Sequence, residues 1–573
     1  MKITKTVLHG LRWGVLGVLA SLTAAPAMAG EGPSGIDRAL YFDADIRDAE
    51  FCELSIDSTG RVDFGKNVTN PSMTCPDAFS WYLFTEVVKD EFWIRWADEV
   101  QNWPKEPWPL CTSAGGNCCD PASTTNDRDH CPYFPATGMA DALKNAAPLL
   151  GSDGNEKSAR NQRKMVSRFF EENAELVRAG APRGKGVAPA VVKSSVDALP
   201  QCSASQIKSI LPEDPQSIGR VLRQTNSEIT IRNAPFHDYL FQNDLYNTEG
   251  LKNTYNNNAG NQSANAPFHQ GNQSASQGGT GNLYRVDLPP DAIMIKSNWV
   301  SATLVEAIQR RYPKETVQFG TAEDYIRHPF MTQITTANGD KCKLQDSHYL
   351  MSFHVSSKDI PQWVWATFEH KNNPGRCDYT GCNDSFGFLA QQPDGTATNF
   401  IAPHQRSDQL AQSSTVLEND LQYAPGAVSK GLKTLLRAQG VATGQQSGVF
   451  ANPGDVAWAN YRLKGSQVDF TDHQGRPTHL GNSITEAGFM TRSSCVGCHA
   501  RAGAAVMGEG DKATVNTIPL GVFEAELSEF GYQQSHHGVP VHAWYYKGNP
   551  SFDLQVLQTD FIWGFLNAQP LAQ

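Results

Sequence analysis

Arg492-Ser-Ser-Cys495-Val-Gly-Cys498-His499-Ala-Arg501 is the stretch around which the rest of this chain is read. Cys-x-x-Cys-His is the attachment pattern of a c-type haem. Two thiols must reach the two vinyl groups on one edge of a porphyrin, and the next residue must set an imidazole under the iron. A single helical turn can do all three, which makes Cys495 and Cys498 the expected thioether donors and His499 the expected proximal ligand. The competing readings are a thioredoxin-like thiol pair and half of a zinc site. A zinc site wants a second pair at matching spacing, and the nearest, Cys377-x4-Cys382, lies over a hundred residues upstream. Arg492 and Arg501 flank the motif. Their two readings are charge-assisted pairing with haem propionates and plain solvated arginines.

The opposite end of the chain bears on the same question. Met1 to Ala29 reads as a secretory signal: Lys2, Lys5 and Arg12 form a basic start, Trp13 to Leu22 an apolar core, and Ala27-Met28-Ala29 a small-x-small cleavage site. The apolar run is short of a membrane span, and no later run is longer. The expected location is therefore the periplasm of a Gram-negative bacterium, reached by export, with no membrane span after cleavage. Formal net charge is −11, and loss of the signal makes it more negative. That balance disfavours nucleic acid and anionic membrane as main partners and leaves room for a redox partner protein.

Twelve cysteines are present. Beyond the motif pair stand Cys52, Cys75, Cys111, Cys118, Cys119, Cys131, Cys202, Cys342, Cys377 and Cys382. An even remainder in an exported chain predicts disulfides, and the dense group from Cys111 to Cys131 predicts a stapled loop, with the connectivity left open.

Along the chain, Phe84, Val87, Val88, Phe92 and Trp96 fall at helical spacing and predict a core-facing helix within 77–103. A charged helix is expected over 157–178, a linker over 181–200, and helix over 214–247. The Asn/Gly/Gln/Ser-rich segment 252–282 reads as a disordered insertion. Strands are expected at 292–299, 348–355 and 362–370. In the second, Tyr349, Met351, Phe353 and Val355 should share one face, and His348, Ser352 and His354 the other. Helix is expected at 407–439 and, as an apolar closing element, at 553–568. The fold class that follows is α+β: helical N-terminal and C-terminal parts around a central mixed or antiparallel sheet. Its divisions are a Cys-rich helical domain over 30–200, an α+β domain over 201–400, and a domain over 401–573 carrying one covalent haem.

Several phrases together resemble the exported bacterial proteins grouped as the cytochrome c family. They are Phe79-Ser-Trp81, Phe236-His-Asp-Tyr-Leu240 with Asn247, Ala292-Ile-Met-Ile-Lys296 with Trp299, and Pro361-Gln-Trp-Val-Trp-Ala-Thr-Phe-Glu-His370 with Asn372. Gly481-Asn-Ser-Ile-Thr485, the haem motif and Asp560-Phe561 complete the set. The resemblance spans most of the mature chain. It implies one haem c near the C-terminus of a large periplasmic protein and no settled activity.

The iron's sixth position separates the possible functions. A saturated iron passes electrons, and an open one binds small ligands and can react. Met507, the sole Met after His499, is a candidate sixth ligand, but only eight residues on it is badly placed to reach the opposite face of the ring. His354, His370, Met490, His536, His537 and His542 are the other candidates. His370, ending an aromatic strand in the longest matching phrase, is the first choice, and Glu369 beside it is a candidate acid or base. The expected activity is electron transfer by a periplasmic single-haem c-type cytochrome. The alternative is a haem enzyme, of oxygenase, oxidase or peroxidase type, with an open iron. A sensor or docking module is a third reading. One haem needs roughly a hundred residues of housing, so much of this chain is left over for a pocket or a docking surface.

Overall fold

Alternating β-branched and aromatic sequence builds the centre of the molecule. In the computed structural model, which describes residues 52–135, 149–150, 199–263, 283–401, 430–438, 453–486, 493–519 and 540–572 with short gaps inside several runs, a large sheet organises the rest. Its strands are β1 (Ser227–Arg232), β2 (Ile293–Ser301), β3 (Arg327–Thr335), β4 (Lys341–Ser357), β5 (Val364–His370) and β6 (Tyr461–Gln467). They pair antiparallel in the order β6-β5-β4-β2-β1, with β3 hairpinned to the first half of the long β4. A two-residue strand, Leu149–Leu150, runs parallel to β3 and makes the sheet mixed. The α+β class therefore holds. The sheet takes β6 from beyond residue 401 and is covered by a helix from before residue 200, so its core is common to all three stretches.

Three expected strands are present as β2, β4 and β5. Strand β1 lies inside a stretch read as helix. There the chain makes a helix at Ile218–Thr225, the strand, and then α2 (Ala234–Gln242), which follows α1 (Pro76–Lys89) in our numbering. Ser227-Glu-Ile-Thr-Ile alternates β-branched residues and favours a strand. Asn233 then caps α2, its side chain accepting from Phe236 N.

The single alternation expected along β4 is broken. Register slips between Asn298 and Trp299 of β2, leaving Met351 as an extra residue on β4. Such a bulge turns the strand over. Phe353 and Val355 accordingly join the cluster beneath α1, whereas Tyr349 and Met351 join another with Tyr325 and Ile334.

The sheet face formed by Ile231, Ile295, Phe353, Val355, Ala366 and Phe368 packs on α1. Trp81 meets Phe368 edge-on at 5.2 Å, and Phe84 lies 4.9 Å from Phe368. The expected stripe Phe84, Val87, Val88, Phe92 and Trp96 is buried throughout. Helix α1 itself stops at Lys89, short of the predicted end.

Two further expectations fail for visible reasons. The Asn-rich segment is helical as far as Ser263, within α3 (Thr248–Ser263), and residues 264–282 fall outside the described residues. Leu251, Tyr255 and Ala259, four residues apart, pack into the core, and Asn257 and Asn258 donate to the carbonyls of Leu283 and Tyr284. The closing element is not a helix. Short strands at Asp553–Leu554 and Leu557–Gln558 are followed by a 3-10 turn at Trp563–Asn567. Asp560 and Phe561 between them hold positive φ of 48° and 67°, which an α-helix cannot contain. Helix α4 (Lys430–Ala438) realises the end of the helix expected at 407–439. The 157–178 helix, most of the 181–200 linker and the signal segment fall outside the described residues.

Ten cysteines form five disulfides: Cys52–Cys75, Cys111–Cys118, Cys119–Cys131, Cys202–Cys342 and Cys377–Cys382. The loop is stapled twice, as its composition implied. The disulfides fit a chain folded in an oxidising compartment. No helix among the described residues is long and apolar enough to cross a membrane.

Asp384 ties α1 to the loop after β5, accepting from Trp81 Nε1 at 3.0 Å and Gly387 N at 2.6 Å. A Cβ on Gly387 would lie 2.3 Å from Trp81 Nε1. We predict that Gly387→Ala costs about 1–3 kcal/mol in urea unfolding, while Val100→Ala at an exposed position stays within about 0.5 kcal/mol.

Candidate functional site: the Cys495–His499 turn

Helix α5 (Cys495–His499) is a single turn seated on the other face of the sheet. Ser494 caps it, its Oγ accepting from Gly497 N at 3.1 Å. Gln467 at the end of β6 holds the turn from outside: its Oε1 accepts from Val496 N at 3.0 Å, and its Nε2 donates to Ser494 Oγ at 3.0 Å. Val496 and Ala500 are buried with Trp363, Trp365 and Phe561.

His499 Nδ1 lies 2.7 Å from the carbonyl oxygen of Phe561. A carbonyl only accepts, so Nδ1 carries the proton and Nε2 presents a lone pair. Burial, foremost, holds the imidazole down at about 3, so it is neutral. A metal-ligating His typically donates its second nitrogen in this way. The Trp365 ring flanks it at 4.3 Å.

The Phe561 carbonyl is aimed by a clamp that composition does not reveal. Asp560 and Phe561 both occupy the left-handed region, which costs a non-glycine residue about 1–2 kcal/mol. Asp560 is held there by three donors. Lys358 Nζ reaches its Oδ1 at 2.5 Å, Trp363 Nε1 reaches the same atom at 3.4 Å, and Leu288 N reaches Oδ2 at 2.8 Å. Lys358 is itself fixed by the Pro361 carbonyl at 3.1 Å and by Asp287 at 3.4 Å.

Cys495 and Cys498 remain thiols while the other ten cysteines are paired. Burial raises both thiols above their ordinary range, which disfavours a reactive thiolate pair. The second half of a zinc site is absent in a positive sense, because Cys377 and Cys382 bond to each other. Among the described residues no group of three or more His, Cys, Asp or Glu could hold a metal ion.

The face beneath α5 is polar in rows. One row reads Thr230, Lys296, His354, Thr367; a second reads Arg232, Met294, Ser356, Trp365, Gln467; a third reads Glu228, Asn298, Ser352, Glu369. The segment 481–486 docks on it. Glu369 accepts from Ser483 N at 2.9 Å, Ser483 Oγ at 2.5 Å and Asn373 Nδ2 at 2.7 Å, with Lys464 at 3.4 Å. Asn482 Oδ1 accepts from Ser352 Oγ at 3.0 Å, and Thr485 Oγ1 donates to Asn298 at 2.8 Å. Glu486 is thereby brought 3.4 Å from His354 Nε2.

Cys495, Cys498, His499, Lys296 and Glu486 are deep enough for burial to be the largest influence on their ionisation. They nevertheless keep accessible surface: 33% of the Lys296 side chain and 16% of that of Glu486. Two unpaired thiols and a neutral imidazole on one helical turn, with Nδ1 committed to a carbonyl, are the donor set that a covalently held haem needs.

The other expected site residues fall as follows. Arg501 is fully buried and acts on Cys498 and Tyr545, so it is no solvated surface arginine. Arg492, Met490, His536, His537 and His542 lie outside the described residues. The backbone of Met507 ends the strand β7 (Ala502–Met507), opposite Thr514. His370 is corrected as sixth ligand. Its Nε2 is 3.0 Å from the Asp324 carbonyl, its Nδ1 accepts from Asn372 N at 3.2 Å, and Tyr325 stacks on it at 3.9 Å. It ends β5 five residues from Trp365, or about 16 Å along an extended strand. Glu369 is saturated by its docking contacts and is no free acid or base. Lys296, Lys358, Gln467, Glu486 and Asp560 were missed as site residues. A lysine following Ile-Met-Ile on a strand was the one available signal. Comparison of the chain with protein-family models, curated proteins and solved structures found no match.

Burial pushes the Asp560 carboxyl up to about 6, against the opposing pull of Lys358 and Leu288 N–H. A raised carboxyl contributes stability below its ordinary value of 3.8 that is lost as pH rises through about 6. We predict that, from about pH 4 to about pH 7, wild-type unfolding free energy falls by roughly 3 kcal/mol relative to Asp560→Asn. Urea titrations of both proteins measure it, and a difference independent of pH would refute the assignment.

Proposed function

We propose that this chain is an exported, periplasmic c-type cytochrome with one haem joined to Cys495 and Cys498 and ligated by His499, exchanging electrons with a partner protein. The observation that carries this reading is His499 Nδ1, committed to the Phe561 carbonyl so that Nε2 keeps its lone pair, on the same helical turn as two unpaired thiols. When bound, the haem would supply a one-electron couple and an axial coordination position. The chain's own residues do the rest. Asp560 and Lys358 aim the carbonyl that fixes the imidazole. Gln467 and Ser494 fix the turn that spaces the thiols, and Arg501, buried beside Cys498, offers a positive charge there. The export signal over 1–29 and the five disulfides support the same compartment.

A second reading, a haem enzyme with an open iron, is favoured by one feature. His354, Glu486 and Lys296 stand near enough to act electrostatically on His499, and a carrier of electrons alone has no use for ionisable groups there.

Expressed with a c-type maturation system, the wild-type chain should keep one haem after denaturation, visible as a peroxidase-active band at the mature mass. Cys495→Ala with Cys498→Ala should give a colourless band. A colourless wild type would refute the proposal.

A further inference from the structure

Hydrophobic packing alone does not explain where the indole of Trp365 stands. Its strand, β5, turns Val364, Ala366 and Phe368 to the apolar cluster beneath α1, while Trp365 packs with Val496 and Ala500 of the haem-motif segment. Its neighbours across the sheet, Ser356 and Gln467, are both polar. From that row the indole meets the His499 imidazole, with 4.3 Å between ring centres and 37° between planes.

The imidazole needs a wall of this kind. Its hydrogen bond to the Phe561 carbonyl holds Nδ1 and leaves the ring free to tilt about that bond. Gln467, which holds Val496 N and Ser494 Oγ, fixes the backbone of the turn but not the ring. The indole supplies the missing constraint, because two π-systems in contact favour some relative orientations over others. It is itself immobile. Only 2% exposed, it donates from Nε1 to the Gln362 carbonyl at 2.9 Å, and Gln362 Nε2 donates to the Val468 carbonyl at 3.0 Å. The Trp363 and Phe561 rings stand 6.2 and 6.4 Å away.

The chain also reaches this position through a strained residue. Trp363 has a φ of 66°, in the region that non-glycine residues avoid. It is held there by its N–H donating to the Ile360 carbonyl at 3.0 Å and its Nε1 donating to Asp560 Oδ1 at 3.4 Å. Asp560 thus anchors both the residue whose carbonyl accepts from the imidazole and the turn that delivers the indole.

Resting on the haem reading above, we propose that Trp365 is a positioning residue for the axial ligand: the flat face of its indole sets the angle of the His499 imidazole plane. Apolar bulk of the same size would fill the space and leave that angle unfixed.

The test uses the full-length holoprotein in its ferric form, saturated with cyanide, with haem counted by pyridine haemochrome. The four haem-methyl proton shifts report the angle of the axial imidazole plane. Wild type should give one set of four. Trp365→Met, which keeps apolar bulk and loses the flat face, should change their order or give more than one set. Trp365→Phe, which keeps a ring, should restore the wild-type order. A wild-type pattern retained in Trp365→Met, or a change shared equally by the Phe and Met variants, would overturn the proposal. The cytochrome reading would still stand, because each protein counts one haem per chain. Should Trp365→Met fail to fold, Trp365→Leu takes its place. Should neither fold, one set of methyl shifts in the wild type supports the proposal and several sets overturn it. A wild type with no haem would overturn the cytochrome reading and this one with it.

Discussion

His499 and Phe561 stand 62 residues apart in the chain and 2.7 Å apart in space. That contact fixes which nitrogen of the imidazole carries the proton, and through it which nitrogen can bind anything else. The surrounding structure is built to hold its two ends. One end is a five-residue helix capped by Ser494 and gripped by Gln467 from the last strand of the sheet. The other is a backbone turn in a conformation that non-glycine residues avoid, held by a buried lysine–aspartate pair. Breaking such a pair by removing one partner costs about 3–5 kcal/mol, because the remaining charge stays buried. The ligand geometry therefore draws on the stability of the whole core.

The sheet divides its labour between faces. Beneath α1 it presents phenylalanine, isoleucine and valine and gains hydrophobic stabilisation of about 25 cal/mol per Å² buried. Beneath α5 it presents Glu369, Asn298, Ser352, Lys296 and His354, which burial penalises unless each finds partners. Glu369, Asn298 and Ser352 find them in the segment 481–486. Gln467, from the last strand, fixes the Cys495–His499 turn relative to the same sheet. Buried polar contacts of this kind are satisfied by one arrangement and penalise the others, so they specify position more than they add stability.

The sequence revealed the local features and hid the distant ones. That Cys-x-x-Cys-His makes a single helical turn could be read because the pattern is contained in five residues. The stripe from Phe84 to Trp96 could be read because helical periodicity is local, and the disulfide-stapled loop because its cysteines are crowded together. His370 was the wrong histidine for a reason sequence cannot supply. Alternation groups His370 with Val364, Ala366 and Phe368, but which face of the strand meets the Cys495–His499 turn depends on what packs there, and here it is the face of Trp365, Thr367 and Glu369. The reading of β4 failed at a bulge, where one extra residue reverses the faces. The closing helix failed at Asp560, because hydrophobic content reports burial and not backbone handedness. Asp560, Lys358 and Glu486 were invisible as site residues because each acts through a partner more than fifty positions away.

The separation of His499 from Phe561 also has a consequence in time. Synthesis proceeds from the N-terminus, so the turn bearing both thiols emerges well before the residue whose carbonyl steadies its imidazole. Until that later stretch arrives and Lys358 captures Asp560, the motif has a helix but no latch. A prosthetic group delivered in that interval would meet an unobstructed binding turn, and the arriving tail would then shut behind it.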